Sequence, residues 1–167
     1  MFFVASAPLQ AEGHINLSPR GLDSLRIIDD QHVVLLDLTG SGNETAAHLA
    51  QNGRLTIMLC AFEGDPKIVR LYGNGKVITQ DDKKWSELRP SFPSDMPGVR
   101  QLFYVDVNRV QTSCGFGVPL MDYRGQRDKL LQWAQKKGPK GIAAYQEKNN
   151  RVSIDGLAAP HADQKNG

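Results

Sequence analysis

The 167-residue sequence predicts a mainly β protein with flanking helices, a six-stranded antiparallel split β-barrel. Short β-branched and aromatic runs recur over residues 2–7, 14–18, 32–38, 54–62, 68–79 and 101–112. Gly, Pro, Asp and Asn separate them, which is the pattern of a meander or barrel rather than of βαβ units. Helical signals are few and fall between or after these runs.

In chain order, Ala11-Glu12-Gly13 reads as the turn joining the first two strands, and Glu63-Gly64-Asp65-Pro66 as the turn joining the fourth and fifth. Antiparallel pairing follows. Residues 43–51 place Ala46, Leu49 and Ala50 on one helical face, after a Ser41-x-x-Glu44 capping box and before Asn52-Gly53, a suitable left-handed C-cap. Residues 81–98 hold Pro90, Pro93 and Pro97 and cannot be a central strand, because proline has no N–H for a ladder. A short helix over 83–88 and a loop are expected there. A longer helix over 126–137 stops at Gly138-Pro139, and 142–150 adds a third. The domain spans 1–155, and the polar end, 156–167, is expected to fray.

Composition narrows the function. With 20 basic and 18 acidic residues spread along the chain, there is no basic stripe of the kind that nucleic acid requires. No apolar run approaches the ~20 residues that span a bilayer, and the first residues lack a basic leader, so a cytoplasmic protein with no membrane partner is expected. Cys60 and Cys114 are too few and too far apart for a disulfide framework or a CxxC site. No metal site is expected.

No motif for self-sufficient catalysis is present: no HExxH, GxSxG or Walker loop. Any reactivity therefore belongs to a cofactor that the protein positions. The best anion site is Thr39-Gly40-Ser41-Gly42-Asn43-Glu44-Thr45, where glycines allow a tight turn into a helix N-terminus. An ordinary strand-to-helix turn closed by its capping box explains the same residues equally well. Asn16-Leu17-Ser18-Pro19-Arg20-Gly21 offers an amide, a hydroxyl and a guanidinium, the last matched to phosphate oxygens. On its own it is also what a polar turn looks like.

Taken together with Phe3-Val4-Ala5-Ser6-Ala7, Val69-Arg70-Leu71-Tyr72-Gly73-Asn74-Gly75-Lys76-Val77 and Val105-Asp106-Val107-Asn108-Arg109-Val110-Gln111-Thr112, these segments resemble successive strands of the pyridoxamine 5'-phosphate oxidase-like flavoproteins. The resemblance implies a homodimer with flavin mononucleotide (FMN) in two clefts between subunits. It places Asn16, Ser18, Arg20 and Gly21, with Thr39, Ser41, Asn43, Thr45 and His48, toward the phosphate and ribityl chain. It puts Arg70, Gln111 and Trp133 near the ring or across the interface, although Trp133 also reads as a packing residue of its helix. The chain lacks the RxxxLK pattern on the second strand and the C-terminal Arg-x-His segment of authentic oxidases. These departures count against vitamin B6 oxidation, and the resemblance implies a flavin-dependent oxidoreductase on an unknown small substrate. Relatives of this barrel also bind deazaflavin or haem, for which His14, His32 or His48 would be the available ligands. A non-catalytic flavin-binding or stress protein is the reading from outside enzymology.

Overall fold

The computed structural model describes residues 1–161. In chain order its elements are β1 (Phe2–Ser6), β2 (Asn16–Arg20), β3 (Leu25–Ile27), β4 (His32–Leu38), α1 (Glu44–Asn52), β5 (Arg54–Cys60), β6 (Ile68–Ile78), α2 (Lys83–Leu88), β7 (Val99–Ser113) and α3 (Lys129–Asn149). Seven strands, not six, form one antiparallel sheet in the order β2-β1-β5-β6-β7-β4-β3, curled into a half-barrel. The additional strand is β3, three residues long and paired only with β4. It follows a turn in which Leu22 and Asp23 have φ of 60° and 57°. Asp tolerates this region, but Leu22 is a residue type that rarely adopts it, so the two-residue left-handed turn is not what the sequence signals.

Strand β4 shows how the layers are built. Residues 33–37 are all buried, because the strand is covered on both sides. Val33 and Leu35 join Phe2, Val4, Ile57, Phe103 and Val105 in the core inside the curl, which α1 closes with Ala46, Ala47 and Leu49. Val34 and Leu36 face the other way, against Ile78, Phe92 and Leu102, with Trp85 and Leu88 of α2 packed on them. A continuous apolar run is what a strand buried on both faces requires, since side chains alternate between faces.

Several boundaries move for physical reasons. Strand β2 begins at Asn16 rather than His14 and continues through Pro19 to Arg20. Proline is tolerated there because β2 is the edge of the sheet. Helix α1 begins at Glu44 with Asn43 at its N-cap and no side-chain cap bond. The predicted Ser41–Glu44 box is not made, because the cap falls at Asn43 and Glu44 is the first helical residue rather than the third; the Glu44 carboxylate accepts the backbone N–H of Ile154. The C-cap is as expected, with Gly53 left-handed at φ 71° and its N–H bonded to the Leu49 carbonyl. Helix α2 occupies the expected residues. Helix α3 starts at Lys129 and runs to Asn149, broken at Gly138 ahead of Pro139. Beyond residue 155 the chain is anchored as far as Ala159, which is 5% exposed in the inner core, where fraying was expected. Residues 162–167 of that expected tail lie outside the described residues. Among the described residues, no helix is long and apolar enough to cross a membrane.

Candidate functional site

The site grows from one buried carboxylate. Asp37 ends the inward-facing series Val33, Leu35, Asp37 of β4 and is 1% exposed. A buried charge is costly unless paired and hydrogen-bonded, and here it is both. Arg20 Nη1 donates to Asp37 Oδ1 at 2.5 Å. Arg100 donates to Oδ2 through Nε at 3.0 Å and Nη2 at 2.8 Å, and Gln101 Nε2 adds a further bond at 2.8 Å. Burial alone would push the Asp37 carboxyl up, but the flanking charges of Arg100 and Arg20 outweigh it and hold it below the ordinary carboxylate value. One carboxylate between two guanidiniums leaves the group with an excess positive charge.

Strand geometry puts these groups together. Asp37 and Gln101 are register partners in the β4–β7 pair, which shifts by a bulge between Asp37 and Leu38. Arg20 is opposite Phe2 at the end of β2. Its guanidinium carbon also lies 5.5 Å from the centre of the Phe103 ring, and its Nε is buried with no hydrogen-bond partner.

The same cluster fastens the glycine turn. Arg100 Nη1 donates to the Gly42 carbonyl at 3.0 Å. Gln101 Nε2 reaches Asn43 Oδ1 at 2.7 Å, and Asn43 Nδ2 donates to the Asn150 carbonyl. Asn150 Nδ2 returns to the Gly40 carbonyl, while Gln146 Nε2 donates to Thr39 Oγ1 at 2.7 Å. The turn is thus held from below by β7 and from behind by the end of α3. A Cβ at Gly40 would meet nothing within 4 Å, so open space lies beside the turn backbone.

That space is part of a cleft of about 1120 Å³. Ser18, Arg20 and Gly21 form one wall, Gly40, Ser41 and Gly42 the second, and the irregular segment 121–127 the third. Asp37 and Arg100 line it as well, and the third wall adds Arg124 and Arg127, with Lys129 beside them.

Of the residues expected at the site, Ser18, Arg20, Gly21 and Ser41 line this cleft. Others lie behind it. Asn16 Nδ2 donates to Thr45 Oγ1, Ser18 Oγ donates to Asn16 Oδ1, and Ser6 Oγ and His48 Nδ1 are 3.0 Å apart. These bonds tie α1 to β1 and β2. Thr39 and Asn43 belong to the buried lock on the turn. His48 is 1% exposed, and its Nε2 has no partner. Burial pushes its imidazole below the ordinary histidine value, with the Glu44 and Asp155 carboxylates opposing. Arg70 and Gln111 face each other across β6 and β7, where Arg70 donates to Ser113 Oγ and Tyr72 to Gln111 Oε1. Trp133 packs edge-on against Tyr145 within α3, the ring centres 5.0 Å apart.

None of His14, His32 and His48 lines the cleft. His14 is held by Asp155 and His32 by Asp29. Among the described residues there is no group of three or more potential metal ligands.

Sequence reasoning missed Asp37, Arg100, Gln101 and the wall at 121–130. Asp37 sits in an apolar run and Arg100 lies 63 positions away, so only the β4–β7 register reveals the pair. An ionisable residue inside an otherwise continuous apolar strand was the available signal.

Comparison with known proteins agrees with this architecture. Residues 1–114 match the family described as pyridoxamine 5'-phosphate oxidase. The chain is 36% identical over 180 residues to ustO of Aspergillus flavus, a pyridoxamine 5'-phosphate oxidase family protein, covering 97% of this chain and 71% of that one. Among solved structures, the fold is similar to HupZ of Group A Streptococcus, with a TM-score of 0.50 and 22% identity over 68% of this chain and 84% of that one. A candidate pyridoxamine 5'-phosphate oxidase of Lactobacillus delbrueckii has the same TM-score at 17% identity, over 66% of this chain and 82% of that one. The matched residues run from β1 through the end of β7 and so take in every strand of the half-barrel, and the chain belongs to the pyridoxamine 5'-phosphate oxidase family.

Proposed function

We propose that the protein binds FMN in the cleft between β2, the glycine turn and segment 121–127, and that it acts as a flavin-dependent oxidoreductase on a small substrate. The observation that carries this reading is the Arg20–Asp37–Arg100 group, whose excess positive charge sits beside an open glycine turn. Phosphate recognition uses this chemistry: guanidinium donors in a fixed plane and backbone that a ligand can approach closely. The cleft volume also suits a ligand of this size.

The chain's own residues divide the work. Arg20, with Ser18 and the turn at Gly40–Gly42, holds the phosphate. Asp37 fixes the planes of both guanidiniums, so they are oriented before a ligand arrives. The bound isoalloxazine supplies the redox chemistry, exchanging a hydride or electrons with substrate. Segment 121–127 shields one side of it from water. A second copy of the chain completes the cleft from the β6–β7 ribbon, bringing Arg70 and Gln111, register partners on one face, toward the ring.

Arg20→Ala tests the phosphate assignment. FMN binding is expected to weaken by about 1.5–3 kcal/mol, the scale of a hydrogen bond to a charged group, while riboflavin, which has no phosphate, loses much less. Equal losses for the two ligands, measured by flavin fluorescence titration, would place the phosphate elsewhere.

A further inference from the structure

The third wall of the cleft is fastened at its two ends and nearly free between them. Met121 N–H donates to the Phe62 carbonyl at 3.0 Å, and Tyr123 N–H to Glu63 Oε1 at 3.2 Å. At the other end Asp128 enters α3, its carbonyl accepting the Gln132 N–H. Between these points Arg124, Gly125, Gln126 and Arg127 are exposed and belong to no helix or strand. Their hydrogen bond to the rest of the described residues runs from Leu22 N–H to Gln126 Oε1, at 3.2 Å.

The backbone around that bond suits a clasp. A Cβ at Gly21 would come 3.0 Å from Gln126 Oε1, so the glycine leaves the space that the carboxamide takes. Gly125, just before the clasping residue, has φ 126°, which a residue with a Cβ rarely adopts. Leu22, on the receiving side, is held at φ 60°. Such strain persists only where the surroundings impose it, and the Gln126 bond is one of the restraints. Leu22 is also two positions beyond Arg20, so the clasp closes beside the residue assigned to the phosphate.

Charge supplies the second observation. Arg124 and Arg127 line the cleft, and neither forms an ion pair among the described residues, whereas Arg20 and Arg100 share Asp37. The carboxylates of the same wall are Asp122 and Glu63, and Glu63 already accepts the Tyr123 N–H. Over the whole lining, five basic side chains stand against three carboxylates.

We propose that residues 124–127 form a flap that closes over the cofactor phosphate, with the Gln126–Leu22 bond as its latch and Arg124 and Arg127 as its phosphate contacts. The inference rests on the flavin reading and adds to it: β2 and the glycine turn receive the phosphate, and the flap retains it. A ligand shifts such an equilibrium only through a difference in its interactions with the two arrangements. Here that difference is the charge-assisted bonding of the phosphate to the two guanidiniums, so FMN closes the flap and riboflavin does not.

The test times trypsin cleavage after Arg124 and Arg127 in the whole chain, and follows amide exchange at Leu22, with no ligand, with FMN and with riboflavin. Saturating FMN is expected to slow both by about threefold to tenfold, and riboflavin to slow them little. Gln126→Ala is expected to speed Leu22 exchange in the ligand-free protein, and FMN release in stopped-flow fluorescence, by about threefold to tenfold each. Replacing Arg124 and Arg127 together by Gln is expected to weaken FMN more than riboflavin, by about tenfold. These side chains are exposed, and if a variant still fails to fold, the comparison of FMN with riboflavin on the unaltered protein decides. FMN that binds through Arg20 but protects the flap no better than riboflavin, or leaves Gln126→Ala at an unchanged rate, overturns the flap and leaves the flavin reading standing. An unaltered protein that takes up neither flavin overturns both.

Discussion

Asp37 and His48 are the two buried ionisable residues whose surroundings shape pH behaviour most clearly. The folded Asp37 carboxyl is held below its ordinary value by Arg100 and Arg20, despite the opposing effect of burial. Its contribution is therefore fully present above about pH 3.9, the unfolded value, and is lost as pH falls through the lower folded value. His48 is depressed by burial, so its neutral form suits the fold and its protonated form suits the unfolded chain. Stability from His48 is complete above about pH 6.5 and declines as pH falls from there toward the folded value. Thermal unfolding between pH 7.5 and 5.5 should show a falling midpoint in the unaltered protein and a flatter profile in His48→Gln. The same slope in both would mean that another group titrates. Glu44 and Asp155 oppose the depression of His48, and Asp155 is itself lowered by its hydrogen bonds to His14. The His14–Asp155 contact consequently belongs to the same acid-sensitive region, where segment 151–159 straps α1 to the barrel.

Among the elements, α1 links the fold to the site, since its N-terminal turn is one wall of the cleft and its apolar face closes the core. Its C-terminal stop depends on Gly53. That residue has φ 71°, and its carbonyl accepts the N–H of Gly75 on β6. Gly53→Ala is expected to destabilise by about 1–2 kcal/mol, the cost of a left-handed L-residue. A Cβ there also clashes with Asn74 Oδ1, which must swing aside. Urea unfolding checks this, and an unchanged midpoint would mean that the cap contributes nothing. The Asn52-Gly53 stop was legible from local chemistry, as were α2 and the long apolar strands. Strand β3 was not legible, because three residues are too short to show a strand pattern and Leu22 is not a residue expected in a left-handed turn. The Ser41–Glu44 box was misread for a different reason. Its residues are right for a cap, but the helix begins two residues later than the box requires, at Glu44 with Asn43 as N-cap, and Glu44 instead accepts the N–H of Ile154, 110 positions away. At the site, Ser18, Arg20 and Ser41 could be read because they sit in polar segments next to glycines. Arg100 and Gln101 could not, since their roles exist only through pairing with Asp37.

For the whole molecule, the open edge of the half-barrel and the segment after β7 raise the question of assembly. Phe116, Leu120 and Tyr123 are 83%, 82% and 71% exposed, and Val110 on the adjoining ribbon is 59% exposed. Large apolar side chains left this exposed are what an interaction surface would cover. A homodimer that covers them is expected at micromolar concentration in sedimentation equilibrium. A monomer there would remove the partner's proposed side of the cleft and with it the proposed roles of Arg70 and Gln111. The most direct test of the central claim is the visible absorption spectrum of the purified protein, followed by denaturation and identification of what is released. A two-band flavin spectrum with FMN in the supernatant is the predicted result. A Soret band, a released deazaflavin, or a colourless protein that fails to take up added FMN would contradict it.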